Sequence, residues 1–240
     1  MDIKEEKVLG HAVMDHWYYV SKGRALRMFL GSQPVEEILD VGAGSGVFTR
    51  QLLDSGFAQR GVCVDAAYDA NHVETHNGCE ISFVRRVDEV PQKLILMMDV
   101  LEHVDDDIRL LREYTDRMPL GGRVLITVPA FQLLWSGHDV FLEHRRRYTL
   151  SHIEKVAQQA DLRVLKGRYF YGGLFPLVAA KRLLDRFQLS AGRTEAKSQL
   201  KLMPSLVNNA LVRIHDVERI FLFPFNRFAG LTAFCLAVRS

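Results

Sequence analysis

At 240 residues, 48% apolar and 25% charged, the chain has the make-up of a soluble globular protein with room for a sizeable core. A formal net charge of +2 gives no basic excess of the kind a nucleic-acid partner requires. Its three cysteines are scattered; Cys63 and Cys235 lie in apolar runs and read as core residues, which fits a reducing cytoplasm. The charged opening MDIKEEKVLG and the lack of a run of about 18 apolar residues lead us to expect neither a signal peptide nor a membrane-spanning helix.

In chain order, residues 5–30 place Val8, Val13, Trp17, Val20, Leu26 and Phe29 in helical rhythm, and Gly31, Ser32 and Pro34 stop them. Residues 35–41 read as a buried strand that enters a glycine-rich turn, followed by a short helix over 47–53. Strands are expected over 61–65, 81–84, 94–98 and 124–128, with a charged helix over 104–118 before the last of these. A loop over 129–148, a helix over 149–160 and a strand over 162–170 follow, and the final strand is expected over 231–238. Seven strands alternating with helices imply a Rossmann-like α/β fold: a doubly wound parallel sheet with helices on both faces, ligands binding at the carboxyl ends of the strands. Asp40, Asp65 and Asp99 all fall at or near those ends.

The stretch ILDVGAGSGVFT, residues 38–49, places Gly42, Gly44 and Gly46 at alternate positions. Such a turn lets a ligand pack on bare backbone. The spacing is G-x-G-x-G rather than the G-x-G-x-x-G of a pyrophosphate site. Asp40, two residues before the first glycine, suits a cationic ligand better than a phosphate.

D-x-G-x-G-x-G between a strand and a helix resembles the first motif of class I S-adenosylmethionine-dependent methyltransferases. The resemblance covers residues 35–170 and implies the cofactor S-adenosyl-L-methionine. It implies that Asp65 accepts the ribose hydroxyls, that Asp88 bonds the adenine amino group, and that Asp99, opening DVLEHV (99–104), lies beside the methionine part. Within the family the loop over 129–148 faces the methyl acceptor, and its pattern H-D-x4-H-x-R-R-Y resembles a bacterial subgroup.

An oxygen acceptor must lose a proton, and histidine suits that task. His138 and His144 are the candidate bases, with His103 third; the other reading has them bond loop backbone or Asp139. Arg146, Arg147 and Tyr148, with Arg145, either hold an anionic acceptor or line a solvated face. Tyr19, in the HWYY stretch 16–19, either faces the sulfonium and acceptor or packs on the sheet. Asp99, Glu102 and His103 share one face if helical, and ubiquinone-pathway O-methyltransferases carry a similar cluster linked to a divalent ion. Two carboxylates and one histidine are an incomplete shell, so no metal is expected.

Residues 172–229 form an insertion between the last two strands, expected to be helical within one methyltransferase domain spanning 1–240. It holds nine basic against four acidic residues, a balance of +5, which leaves −3 for the rest of the chain. Lid, homodimer element and contact with an anionic membrane surface all remain open for it. The expected reaction is O-methylation of a small or lipid-linked acceptor in the cytoplasm, with peripheral contact at the inner membrane face as an option. The rival is a non-catalytic cofactor-binding or membrane-docked protein.

Overall fold

A computed structural model describes residues 10–190 and 202–240. The expected helix over 5–30 divides into a 3-10 turn, Gly10–Met14, and α1, Trp17–Leu30, where the His16 side chain accepts from the Tyr18 amide. Residues 5–9 of that expectation lie outside the described residues. There follow β1 (Glu37–Val41), α2 (Val47–Asp54), β2 (Arg60–Val64), β3 (His72–His76), β4 (Cys79–Val84) and β5 (Leu94–Met98). Then come α3 (Asp107–Thr115), β6 (Arg123–Pro129), the short α4 (Gly137–Phe141), α5 (Leu150–Gln159) and β7 (Leu162–Phe170). The insertion supplies α6 (Phe175–Ser190) and α7 (Ser205–Phe221), and β8 (Thr232–Arg239) ends the order.

The sheet has eight strands, ordered β3-β4-β2-β1-β5-β6-β8-β7, one more than expected. The additional strand, β3, forms a hairpin with β4 across Asn77-Gly78, both with positive φ (49° and 83°). An Asn-Gly pair is a strong hairpin signal. The sheet is mixed rather than wholly parallel, because β8 runs antiparallel to both β6 and β7. Thr232 pairs with Pro129 at the carboxyl end of β6 and with Phe170 at the carboxyl end of β7. The insertion therefore leaves and rejoins the sheet at one rim, and the last strand can only run back down. That is also the rim at which ligands bind.

Strand residues alternate between two cores, as the pleat requires. Ile38, Leu94, Leu96, Leu125, Phe234 and Leu236 pack with Leu26, Phe29, Phe48 and Phe223 on the face that carries α1 and α2. Leu39, Val41, Ile95, Met97, Val124 and Ile126 pack with Leu111, Ile153 and Val156 of α3 and α5 on the other. Among the described residues, no helix is long and apolar enough to cross a membrane.

Candidate active site

The glycine turn follows β1 directly. Gly42, Gly44 and Gly46 all have positive φ (66°, 54° and 70°), and Gly46 caps the start of α2. A Cβ added at Gly42 would stand 2.7 Å from the Val100 side chain, and one at Gly46 would stand 3.1 Å from Cys63 Sγ. A side chain is thus opposed by backbone angle at all three glycines, by space at Gly42, and by a tight contact at Gly46. Asp40 lies beneath this turn, nearly fully buried, where Oδ2 accepts from Thr49 Oγ1 of α2 at 2.8 Å. Its Oδ1 has no partner among the described residues. Burial pushes the Asp40 carboxyl up to about 6.

Asp65, just past β2, accepts the Gly44 amide through Oδ2 (3.2 Å) and the Ala67 amide through Oδ1 (3.0 Å). Tyr68, which sequence reasoning passed over, donates to the Gly44 carbonyl at 2.6 Å. Acid and phenol therefore grip the middle glycine from the neighbouring strand. Asp88 is placed differently: it is exposed in the loop before β5, 3.8 Å from Arg86, and its carbonyl accepts from Arg117. Bare glycine backbone, a dehydrated carboxylate with a spare oxygen and a rim carboxylate fit a phosphate-free, cationic nucleoside such as S-adenosylmethionine.

Asp99 leaves β5 in the left-handed region (φ 56°), a conformation that costs a non-glycine residue on the order of 1–3 kcal/mol. Three groups grip its carboxylate: the ammonium of Lys22, Thr127 Oγ1 at 3.1 Å and the Tyr18 hydroxyl at 3.4 Å. Burial alone would raise this carboxyl; the Lys22 ammonium outweighs it and holds Asp99 below the usual range. Lys22 is fully buried on α1 and also donates to the Tyr18 hydroxyl at 3.2 Å. No sequence signal separated this lysine from its solvated neighbours, since its helical position reads equally well as surface.

Beyond Asp99 lies a cavity of about 270 Å³, walled by the β5 exit, the loop after β6, the aromatic start of α1 and helix α6. His103, His138, His144 and Arg147 line it, as do Glu102, Asp99 and Tyr19. Val178, Lys181 and Arg182 of α6 complete the wall. Tyr19 is almost wholly buried against Phe48; its neighbour Tyr18 carries the hydroxyl that reaches Asp99.

The loop after β6 is organised around Asp139. This carboxylate caps α4 together with Ser136, and accepts from the Ser136 amide at 2.9 Å. It bonds His144 Nδ1 at 2.9 Å and accepts from Arg147 Nε at 2.6 Å, while Arg182 stands 3.9 Å away. Burial would raise Asp139, but the bonds from His144 and Arg147 hold it far below the usual carboxylate range. Burial, with the Arg182 charge, pushes His138 down to about 3, so its ring is neutral and weakly basic near neutrality. His103 stands edge-on to His144, ring centroids 4.8 Å apart. Glu102 is fully buried with neither carboxyl oxygen bonded among the described residues, and burial followed by the charge on Asp99 raises it well above the usual range.

Arg146 and Tyr148 do not line the cavity. Arg146 donates to the carbonyls of Val104 and Asp105 and pairs with Asp107 at 3.3 Å. The Tyr148 hydroxyl, fully buried, donates to Asp107 at 2.8 Å. Alternation along 145–148 explains this: Arg147 turns to Asp139, while Arg146 and Tyr148 turn to the β5 exit. The helix-spaced trio Asp99, Glu102 and His103 is likewise not the set that converges. Asp99 is held by Lys22, and one ligand atom each from Glu102, His103 and His144 lies within 4.8 Å of the others.

Comparison with known proteins gives a consistent result. A family described as "Methyltransferase domain" matches residues 14–166. Myricetin 3'/5'-O-methyltransferase 1 of Solanum habrochaites is 26% identical over 121 residues, which span 49% of this chain and 33% of that relative's length. A SAM-dependent methyltransferase from Archaeoglobus fulgidus superposes with a TM-score of 0.52 at 16% identity, covering 98% of this chain and 97% of that one. Phosphoethanolamine N-methyltransferase 2 of Haemonchus contortus, solved with S-adenosyl-L-methionine, gives 0.54 at 14% identity, covering 100% of this chain and 60% of that one.

Proposed function

The chain belongs to the methyltransferase domain family and is an S-adenosylmethionine-dependent methyltransferase, and we propose that its acceptor atom is an oxygen of a small or lipid-linked molecule. The observation that carries this reading is the buried Asp139–His144 pair on the cavity wall. An ionised Asp139 can only accept, so it fixes the Nδ1–H tautomer of His144. Nε2 is left with its lone pair, as general-base removal of a hydroxyl proton requires. An amine acceptor that reacts as the free base needs no such base. The name of the Solanum relative, an O-methyltransferase, supports the same choice.

When bound, the cofactor supplies an electrophilic methyl group on a sulfonium. Gly42, Gly44, Gly46, Asp40 and Asp65 hold it, with Asp88 on the adenine side and Asp99 at the methionine side. Arg147 and Arg182 keep Asp139 ionised, and α6 covers the cavity against water. Lys181 and Arg182 on that wall suit an acceptor that carries an anionic group. His103 and His138 orient the acceptor, while His144 takes the proton.

The test is transfer of a labelled methyl group to panels of hydroxylated and amine acceptors, lipid-linked ones included. O-methyl products that disappear in His144→Ala, with cofactor affinity unchanged, are expected; N-methyl products only would overturn the reading. Activity should survive EDTA. Loss on chelation, restored by zinc, would transfer proton removal to a cation held by Glu102, His103 and His144.

A further inference from the structure

Helix α7 is inside out. Its inward face is polar: Asn208 accepts the Trp17 amide at 2.8 Å and donates to the Asp15 carbonyl at 2.9 Å. Asp216 pairs with Arg24 of α1 and with Arg219. Buried Glu218 accepts the Gly172 amide and bonds buried His215 at 2.8 Å. His215 stacks on Trp17, centroids 5.4 Å apart. These bonds lie along much of the helix and fix its rotation.

The outward face is apolar. Leu206, Ala210, Ile214, Val217 and Phe221 recur at helical spacing, and Phe225 and Phe228 continue the line past the helix end. Exposure reaches 82% at Leu206, 53% at Ile214, 58% at Val217, 72% at Phe221, 75% at Phe225 and 88% at Phe228. A row of this kind on one surface marks a docking site, and the polar clamps prevent the helix from turning it inward.

Charge decides between occupants. Among residues 202–229 the exposed ionisable side chains are Arg213 and Arg227; Arg227 donates to both carboxylate oxygens of Glu154 (2.8 and 2.9 Å), so Arg213 sets the charge of this face. Both acids of α7, Asp216 and Glu218, are committed inward. A second copy of this chain would set Arg213 against a face on which residues 202–229 offer no exposed acid. A bilayer surface with anionic headgroups offers an apolar layer for the phenylalanines and negative charge for Arg213. We propose that α7 and residues 222–228 form an in-plane docking surface for an anionic lipid bilayer. The same insertion supplies Val178, Lys181 and Arg182 to the cavity wall, so docking would bring a membrane-borne acceptor to the side of the molecule that holds the site.

The test is sedimentation of the full chain with vesicles of phosphatidylcholine containing 30% phosphatidylglycerol (roughly the charge of an anionic leaflet), against phosphatidylcholine alone. Binding to the charged vesicles is expected, weakened by salt, and at least about tenfold weaker in Phe225→Ser/Phe228→Ser and in Ile214→Gln/Val217→Gln. Circular dichroism and cofactor affinity show whether these variants fold; since the residues are exposed, unchanged values are expected. Arg213→Glu, a second kind of variant, should weaken binding while leaving the apolar row intact. Lack of binding by the unmodified chain, equal binding to neutral vesicles, or variants that bind undiminished would overturn the proposal. So would a dimer in analytical ultracentrifugation that Val217→Arg dissociates. None of these outcomes depends on which atom is methylated.

Discussion

The two halves of the upper rim are built from different materials. The glycine turn is shaped by backbone: three residues with positive φ, a collision at Gly42 if a side chain is added, and one buried carboxylate below. The half proposed for the acceptor is shaped by buried charge, Asp139 with His144 and Arg147, and so is the seam where the halves meet, Asp99 with Lys22. A backbone-built site fails by steric exclusion at single positions. A charge-built site fails when one member of a pair is removed and the other is stranded. Mutations on the two halves should therefore separate into cofactor-affinity and turnover defects.

The largest effect is expected at His144. His144→Ala should lower kcat by about 10²–10⁴-fold, the contribution of a general base, with cofactor affinity by calorimetry unchanged. Equal losses of kcat and cofactor affinity would erase the distinction between the halves. Next, Lys22→Met strands the Asp99 carboxylate and should cost about 3 kcal/mol in urea unfolding, the low end for a broken buried pair because Asp99 keeps some solvent contact. Lys22→Met/Asp99→Asn should recover part of it, since the uncompensated charge is then gone.

Asp40 gives a pH signature to the glycine half. Its folded-state value, about 6, lies above that of an unfolded aspartate, so the folded chain keeps a proton that the unfolded chain has lost. The Asp40 contribution to stability should fall as pH rises from about 4 to about 6 and then level off, by about 3 kcal/mol in all, against the opposite slope that buried His138 adds. Asp40→Asn should lack that contribution, and the difference between its unfolding midpoints and those of the unmodified chain across this range checks it. The smallest effect is expected at Gly42: Gly42→Ala should cost about 1–2 kcal/mol of stability from the left-handed backbone. It should also weaken cofactor binding measurably, because the new methyl group presses on Val100.

Much of the glycine half's shape was legible in the sequence, because glycines at alternate positions after a buried strand mark a sharp turn of bare backbone. D-x-G-x-G-x-G and the strand ends that carry Asp65 and Asp99 located the turn and the rim beside it. The β3–β4 hairpin was missed although Asn77-Gly78 signals it, since His72, Glu74 and His76 alternate without an apolar face to mark a strand. The acceptor half was legible as a set of residue types and not as an arrangement. His144 and Asp139 were visible, but which of Arg145, Arg146 and Arg147 would meet Asp139 depended on the direction each takes in an irregular loop.

By itself the sequence determined the alternating elements, the bare turn and the excess of positive charge in the insertion, all of which follow from local backbone preference and composition. Only the tertiary structure decided that Lys22 is buried, that Tyr148 is structural and that α7 turns its apolar side to solvent. Those outcomes depend on partners distant in the chain: Asp99 for Lys22, Asp107 for Tyr148, and Trp17, Arg24 and Gly172 for α7. An apolar stripe at helical spacing looks the same whether it faces inward or outward, and the polar groups opposite it choose the direction.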